Sequence, residues 1–213
     1  MSSPKRVLVL GATGSVGRIL IPTLVRRGHS VTVLVRNRGK LVAESAVRIF
    51  DGDALDSAAV NRAAADQDAV VYALGSRRLG PTRFFSESTT VLLEAMERHG
   101  VRRLVAITGV GAGDTKGHGG LLYDRILYPL FTRRIYEDKD RQEALIRRSE
   151  VDWIIVRPAP FRERRRPRGP LRTVVDVHNV ILRSITRAEV AAFVADQLES
   201  DRFLRQTPFV GHP

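Results

Sequence analysis

Val7-Leu8-Val9-Leu10-Gly11-Ala12-Thr13-Gly14-Ser15-Val16-Gly17 decides the fold. Four consecutive apolar residues read as a strand buried on both faces, and three glycines then hand the chain to a helix near residues 15–27. Gly11 permits a tight turn, Gly14 lets backbone approach a pyrophosphate, and Gly17 lets helix and strand pack closely. The amides of Thr13, Gly14, Ser15 and Val16 would cradle the diphosphate, with the positive end of the helix dipole behind them. Glycine triplets alone are a weak signal. Here the strand, the helix and a second strand at residues 31–35 all stand at the spacing of a dinucleotide-binding unit.

The end of that second strand bears on which dinucleotide. A site for NAD usually places Asp or Glu there to accept from the ribose hydroxyls, whereas this chain has Val35-Arg36-Asn37-Arg38. A carboxylate would repel a 2′-phosphate; a guanidinium can bind it bidentately and stack beside adenine. NADP(H) is therefore the expected cofactor, with Arg36 the first choice for the phosphate and Arg38 the second, against the plainer reading of solvated surface arginines.

Further along, apolar runs at residues 47–50, 69–74, 104–107 and 153–156 alternate with helix-length segments near 56–65, 85–99 and 132–149. Continuous apolar runs separated by helical crossovers predict an α/β fold: a single Rossmann-like domain over residues 1–213, with a doubly wound, mainly parallel sheet and helices on both faces. Asp56 is placed to cap a helix, and Gly28 and Gly100 stand just past helical patterns where a left-handed cap favours glycine. Thr186-Arg187-Ala188-Glu189 has capping-box spacing before a last helix, and a short strand is expected around residues 208–210. Residues 109–120, rich in glycine, and 158–172, rich in proline and arginine, follow the fifth and sixth strands. Both leave the carboxyl edge of a parallel sheet, where ligands bind, and are candidate substrate loops.

Composition narrows the partners. The 213 residues contain no cysteine, which excludes disulfides, thiolate metal sites and cysteine nucleophiles, and the five histidines form no pair at helical metal spacing, so no metal site is read. No apolar run approaches the roughly 18 residues of a membrane span, and the first residues lack a signal-peptide core, so a cytoplasmic protein is expected. The net charge of +12 includes a cluster at Arg162, Arg164, Arg165, Arg166, Arg168 and Arg172. That loop reads as a lid attracting an anionic substrate, a solvated loop, or a nucleic-acid or protein contact. Its prolines oppose a helix entering a DNA groove, so a small-molecule substrate is preferred over nucleic acid, and a homo-oligomer stays open.

Taken together these residues resemble the atypical short-chain dehydrogenases/reductases of the NAD(P)H-binding, NmrA-like and biliverdin reductase B-like kind, over nearly the whole chain. Besides the Gly11-Ala12-Thr13-Gly14 start, the resemblance runs through Gly52-Asp53-Ala54-Leu55-Asp56, Tyr72-Ala73-Leu74-Gly75 and residues 104–108. It continues through Val151-Asp152-Trp153-Ile154-Ile155-Val156-Arg157-Pro158 and Thr186-Arg187-Ala188-Glu189-Val190-Ala191. It implies that Asp53 and Ala54 hold adenine, that ribose and nicotinamide pass Ala73, Leu74 and Gly75, and that Pro158, Ala159 and Phe161 sit by the nicotinamide. The bland alternatives are a turn residue for Asp53, strand-end packing for Ala73 and Gly75, and a stiffened loop for Pro158.

Most short-chain dehydrogenases place a Ser or Thr after strand five and a Tyr-x-x-x-Lys pair on the next helix, the lysine holding the ribose and lowering the tyrosine's pKa. Thr108, Lys139 and the following Glu143 match that pattern, but Ile135 stands at the tyrosine position. Tyr136 is one residue off, about 100° around a helix, and Tyr123 and Tyr128 are weaker candidates. Candidate catalytic residues are thus Thr108, Lys139 and Tyr136, with solvent as the other proton source. The resemblance implies an NADPH-dependent oxidoreductase passing hydride to a small planar acceptor such as a flavin, quinone or carbonyl compound. A non-catalytic NmrA-like redox sensor and an NAD(P)-dependent isomerase or epimerase are the alternatives.

Overall fold

In the computed structural model, residues 3–41, 46–75, 82–118, 133–163 and 169–213 are described. Five strands come directly from the apolar runs: β1 (Arg6–Leu10), β2 (Ser30–Val35), β3 (Val47–Asp51), β4 (Ala69–Tyr72) and β5 (Arg103–Ile107). A sixth, β6 (Asp152–Pro158), outlasts its predicted run by reaching Pro158. The helices are α1 (Gly17–Arg26), α2 (Ser57–Ala64), α3 (Phe84–Arg98), α4 (Arg133–Arg148) and α5 (Arg187–Glu199). Two short strands, β7 (Arg172–Val174) and β8 (Phe209–Gly211), complete a Rossmann-fold domain with an eight-stranded sheet.

The order across the sheet is β3-β2-β1-β4-β5-β6-β8-β7, parallel except for β7 against β8. After β3 the chain returns to lay β4 beside β1, pairing Leu10 with Tyr72. The carboxyl ends of β1 and β4 therefore flank the point where the winding reverses, the crevice at which ligands bind in such sheets.

Period-two alternation explains why both faces are covered. Val7 and Val9 point into one apolar layer with Leu20 and Leu24 of α1 and Val190, Val194 and Leu198 of α5. Leu8 and Leu10 point into the other, with Val60 of α2, Leu92 and Met96 of α3 and Ile146 of α4. Each fully buried side chain of this size contributes roughly 1.5–3 kcal/mol relative to exposure. Local signals hold as well: Asp56 accepts from the amides of Ala58 and Ala59, Thr186 and Glu189 form a reciprocal capping box, and Gly28 and Gly100 have φ of +85° and +64°.

The structure departs from expectation at β7. This antiparallel edge strand begins at the last residue of the segment read as a loop over 158–172 and runs two residues past it, and it exists through pairing with β8, Thr173 opposite Val210. Its Arg-Thr-Val composition carries no apolar run of its own. Among the described residues no helix is long and apolar enough to cross a membrane.

Candidate active site

The glycine turn lies on the end of β4. Gly11 has φ +95°, and a Cβ built there would collide with the carbonyl of Ala73; one on Gly17 would collide with the carbonyl of Gly11. The Gly14 amide closes the turn on Gly11 O at 2.9 Å. Among the described residues, no protein acceptor takes the amides of Thr13, Ser15, Val16 or Gly17, and the first turn of α1 holds no acidic side chain. The result is a cluster of unsatisfied N–H donors at a positive dipole end, a chemistry that fits an anionic diphosphate.

The two arginines after β2 are in different states. Arg36 is 77% exposed, with Nη1 3.6 Å from Asp53 Oδ2. Arg38 turns along β3: its Nε donates to Asp51 at 2.7 Å and its Nη2 to Ile49 O at 3.3 Å. Parallel pairing sets Val35 beside Asp51, which hands Arg38 its partner, while Arg36, just past the carboxyl end of β2, faces Asp53. Asp53 also accepts from the Leu55 amide at 3.0 Å, so its turn role is real, while Ala54 is buried. Ala73 and Leu74 are half-buried and Gly75 is exposed, with the Ala73 amide bonded to Leu10 O at 2.8 Å.

At the end of β5 the side chains of α4 arrive. Thr108 Oγ1 donates to Glu143 Oε1 at 2.7 Å. Arg157, fully buried at the end of β6, donates to both oxygens of the same carboxylate, at 3.1 and 2.6 Å, and its other amino group pairs with Asp114. Burial opposes the guanidinium charge, but Glu143 and Asp114 outweigh it and hold the Arg157 pKa above its ordinary value. Lys139 is buried, its Nζ 3.4 Å from Ile107 O and 4.5 Å over the Phe85 ring. Burial pushes its pKa down to about 8, against the upward pull of Glu143 and Asp138. Asp138 is itself committed: it accepts from the Phe85 amide at 2.8 Å and Ser86 Oγ at 2.6 Å, which fastens the start of α3 to α4.

Ile135, at the usual tyrosine position, is buried in the apolar layer shared with Phe85 and Ile146. Tyr136 instead lies against the loop after β5: its hydroxyl is 2.5 Å from where a Gly109 Cβ would stand, and its ring covers Gly111. Pro158 and Ala159 are buried at the end of β6, whereas Phe161 is exposed, under the guanidinium of Arg187 at 4.6 Å. The structure thus brings Thr108, Lys139 and Tyr136 to the end of β5, and Arg36 to Asp53. It separates Arg38 and Phe161 into contacts of their own. Gly119, Gly120, Tyr123, Tyr128, Arg164, Arg165, Arg166 and Arg168 lie outside the described residues.

Sequence reasoning missed the partners of this network, Asp114 and the Glu143–Arg157 pair, and the helix-fastening role of Asp138. One trace was present: an arginine ending the buried run Trp153-Ile154-Ile155-Val156-Arg157 demands a buried carboxylate.

The NAD(P)H-binding family model matches residues 11–201. A 3-diazoavenalumate denitrifying reductase of Streptomyces is 39% identical over 135 residues, 58% of this chain and 44% of that protein. The match therefore spans less than half of that relative's length. Anaerobillin reductase ChuY from Escherichia coli O157:H7 superposes with a TM-score of 0.80 at 19% identity, covering 98% of this chain and 97% of that one. A short-chain dehydrogenase/reductase from Veillonella parvula, solved in complex with NADP, gives 0.80 at 15% identity, covering 99% and 96%. These two are likenesses of fold. The family match spans most of the chain, including the glycine turn and the end of β5, and this protein belongs to the NAD(P)H-binding family.

Proposed function

We propose that this chain is an NADPH-dependent oxidoreductase that passes hydride to a small planar acceptor, a flavin, quinone or carbonyl compound, without the usual tyrosine. The observation that carries the reading is the cradle of unsatisfied amides at Thr13, Ser15, Val16 and Gly17, with the exposed Arg36 at the edge of the same crevice. In this reading the amides take the diphosphate, Arg36 takes the 2′-phosphate, and Asp53 and Ala54 border adenine. Ala73, Leu74 and Gly75 leave room for the ribose and nicotinamide side, and Pro158, Ala159 and Phe161 border the far end. Lys139 holds the ribose from below the end of β5. Bound nicotinamide supplies the hydride, and the chain aligns donor with acceptor. Tyr136, beside Gly109, or solvent supplies the proton. The reductase named among the relatives and the NADP seen in a structure of the same fold are consistent with this assignment.

The test is to measure binding of NADPH and NADH and then to follow NADPH absorbance with flavins, quinones and aldehydes. NADPH should bind at least about tenfold more tightly than NADH, the value of one charge-assisted contact, and at least one acceptor class should turn over. Equal affinities reject the cofactor assignment. Tight binding without turnover favours the sensor reading, for which buried Ile135 in place of a phenol is the specific argument.

A further inference from the structure

Thr108 is the hydroxyl that follows strand five, and a hydroxyl can either donate a hydrogen bond to a substrate or accept one from it. Its surroundings decide between the two. Oγ1 donates to Glu143 Oε1 at 2.7 Å, and the rest of that carboxylate is surrounded by donors. Oε1 accepts from Thr108 and from Arg157 Nε at 3.1 Å, while Oε2 accepts from Arg157 Nη2 at 2.6 Å and Arg147 Nη2 at 3.4 Å. Both oxygens are filled by donors and two guanidiniums neutralise the charge, so the carboxylate accepts only and the Thr108 proton points at it. Among the described residues no donor reaches Thr108 Oγ1, whose lone pairs are left for whatever enters the site. Fully buried Arg157 fixes the arrangement from β6, and a Cβ on Gly113, which has φ +55°, would collide with its guanidinium.

We infer that Thr108 presents a hydrogen-bond acceptor, not a donor, at the end of β5, and that Glu143, clamped by Arg157, is the positioning residue that sets this polarity. The group recognised there carries an N–H or O–H. Resting on the oxidoreductase reading, this selects acceptors with such a donor on the reducible ring system over acceptors that offer only carbonyl oxygens.

Two measurements test it. The first needs no substrate: a Thr108 hydroxyl proton bonded to a carboxylate and shielded from water gives a slowly exchanging proton NMR signal. That signal should vanish in Thr108→Val and move in Glu143→Gln, where the side-chain amide can donate to Oγ1 and free the hydroxyl proton. Absence of the signal in the wild type, or its indifference to Glu143→Gln in a folded variant, overturns the inference. The second compares kcat/KM for matched acceptors, a flavin against its imide-N-methylated derivative and hydroxynaphthoquinone against methoxynaphthoquinone. Thr108→Val should cost the donor-bearing member about five- to tenfold more than its methylated partner, the size of one neutral hydrogen bond. Equal losses, or a larger loss for the methylated member, overturn it. If no acceptor of any class turns over, the oxidoreductase reading fails, and the NMR signal alone decides the polarity of Thr108.

Discussion

Replacing Arg157 by methionine removes the fully buried guanidinium that pairs with Glu143. The guanidinium is wholly buried and makes a two-pronged contact at 3.1 and 2.6 Å, while the carboxylate side chain is 4% exposed. The cations left nearby are Arg147, 46% exposed and 3.4 Å away, which is too wet to neutralise a buried charge fully, and buried Lys139, which Glu143 pulls upward in pKa without a direct ion pair. Breaking a buried pair from one side costs about 3–5 kcal/mol, and a domain of this length loses about 2–4 °C of Tm per kcal/mol. Arg157→Met should therefore lower Tm by roughly 6–20 °C. Replacing both partners, Arg157→Met with Glu143→Leu, removes the stranded charge and leaves chiefly the Thr108 hydroxyl without its acceptor, a cost of about 1–3 kcal/mol. Exposed Asp114 returns to water. The double variant should thus unfold at a higher temperature than Arg157→Met alone, and a double-mutant cycle by thermal and urea unfolding should show coupling of at least about 1 kcal/mol. A single-variant loss under about 1 kcal/mol, or losses that simply add, would refute the claim that these groups form one buried unit.

The remaining expectations are these. Arg36→Asp should weaken NADPH binding by about 10–100-fold, the value of charge-assisted hydrogen bonds, and leave NADH within a few-fold; fluorescence titrations showing parallel losses would remove Arg36 from the phosphate. Gly17→Ala, whose methyl would enter the Gly11 carbonyl, should cost about 1–3 kcal/mol of stability in urea and also weaken the cofactor, whereas an unchanged titration would mean the turn does not hold the diphosphate. Lys139 binds its proton less readily folded, at about 8, than unfolded, at 10.5, so the unfolded chain holds more protons in that window and stability gained from this group rises with pH across it. The difference between wild type and Lys139→Met should accordingly grow in favour of wild type from about pH 8 to about 10.5, by up to about 3 kcal/mol, and a flat difference would place the ammonium in water. Tyr136→Phe should lower kcat with little change in KM if the phenol donates the proton, and leave both unchanged if solvent does, as read from steady-state kinetics over pH.

Much of the fold was legible because strands buried on both faces must be apolar at every position. Val7 to Leu10 and Trp153 to Val156 are marked by that requirement alone, without knowledge of their neighbours. Glycine positions were legible for a similarly local reason, since Gly11, Gly28 and Gly100 all adopt positive φ. β7 was not. Its three residues are held by pairing with β8 from far along the chain, and an edge strand with one face open needs no apolar run.

The site divides along the same line. Arg36 and Arg38 are indistinguishable by chemistry and two residues apart; only the register of β2 against β3, which sets Asp51 beside Val35, assigns Arg38 to an ion pair. On α4 the helical period does the sorting. Ile135, Lys139, Gln142, Glu143 and Ile146 share one buried stripe, each under a tenth exposed, and Tyr136 stands on the neighbouring stripe against Gly109 and Gly111. The polar middle of that stripe is tolerable because α3 and the ends of β5 and β6 answer it: Ile107 O takes Lys139, Thr89 of α3 takes the Gln142 amide, and Thr108 with Arg157 takes Glu143. The stripe that brings the lysine to the end of β5 therefore brings an isoleucine to the tyrosine's place. A phenol at 135 would need a partner within an apolar layer of Phe85 and Ile146, so restoring the familiar pair by Ile135→Tyr alone should cost stability before it adds activity.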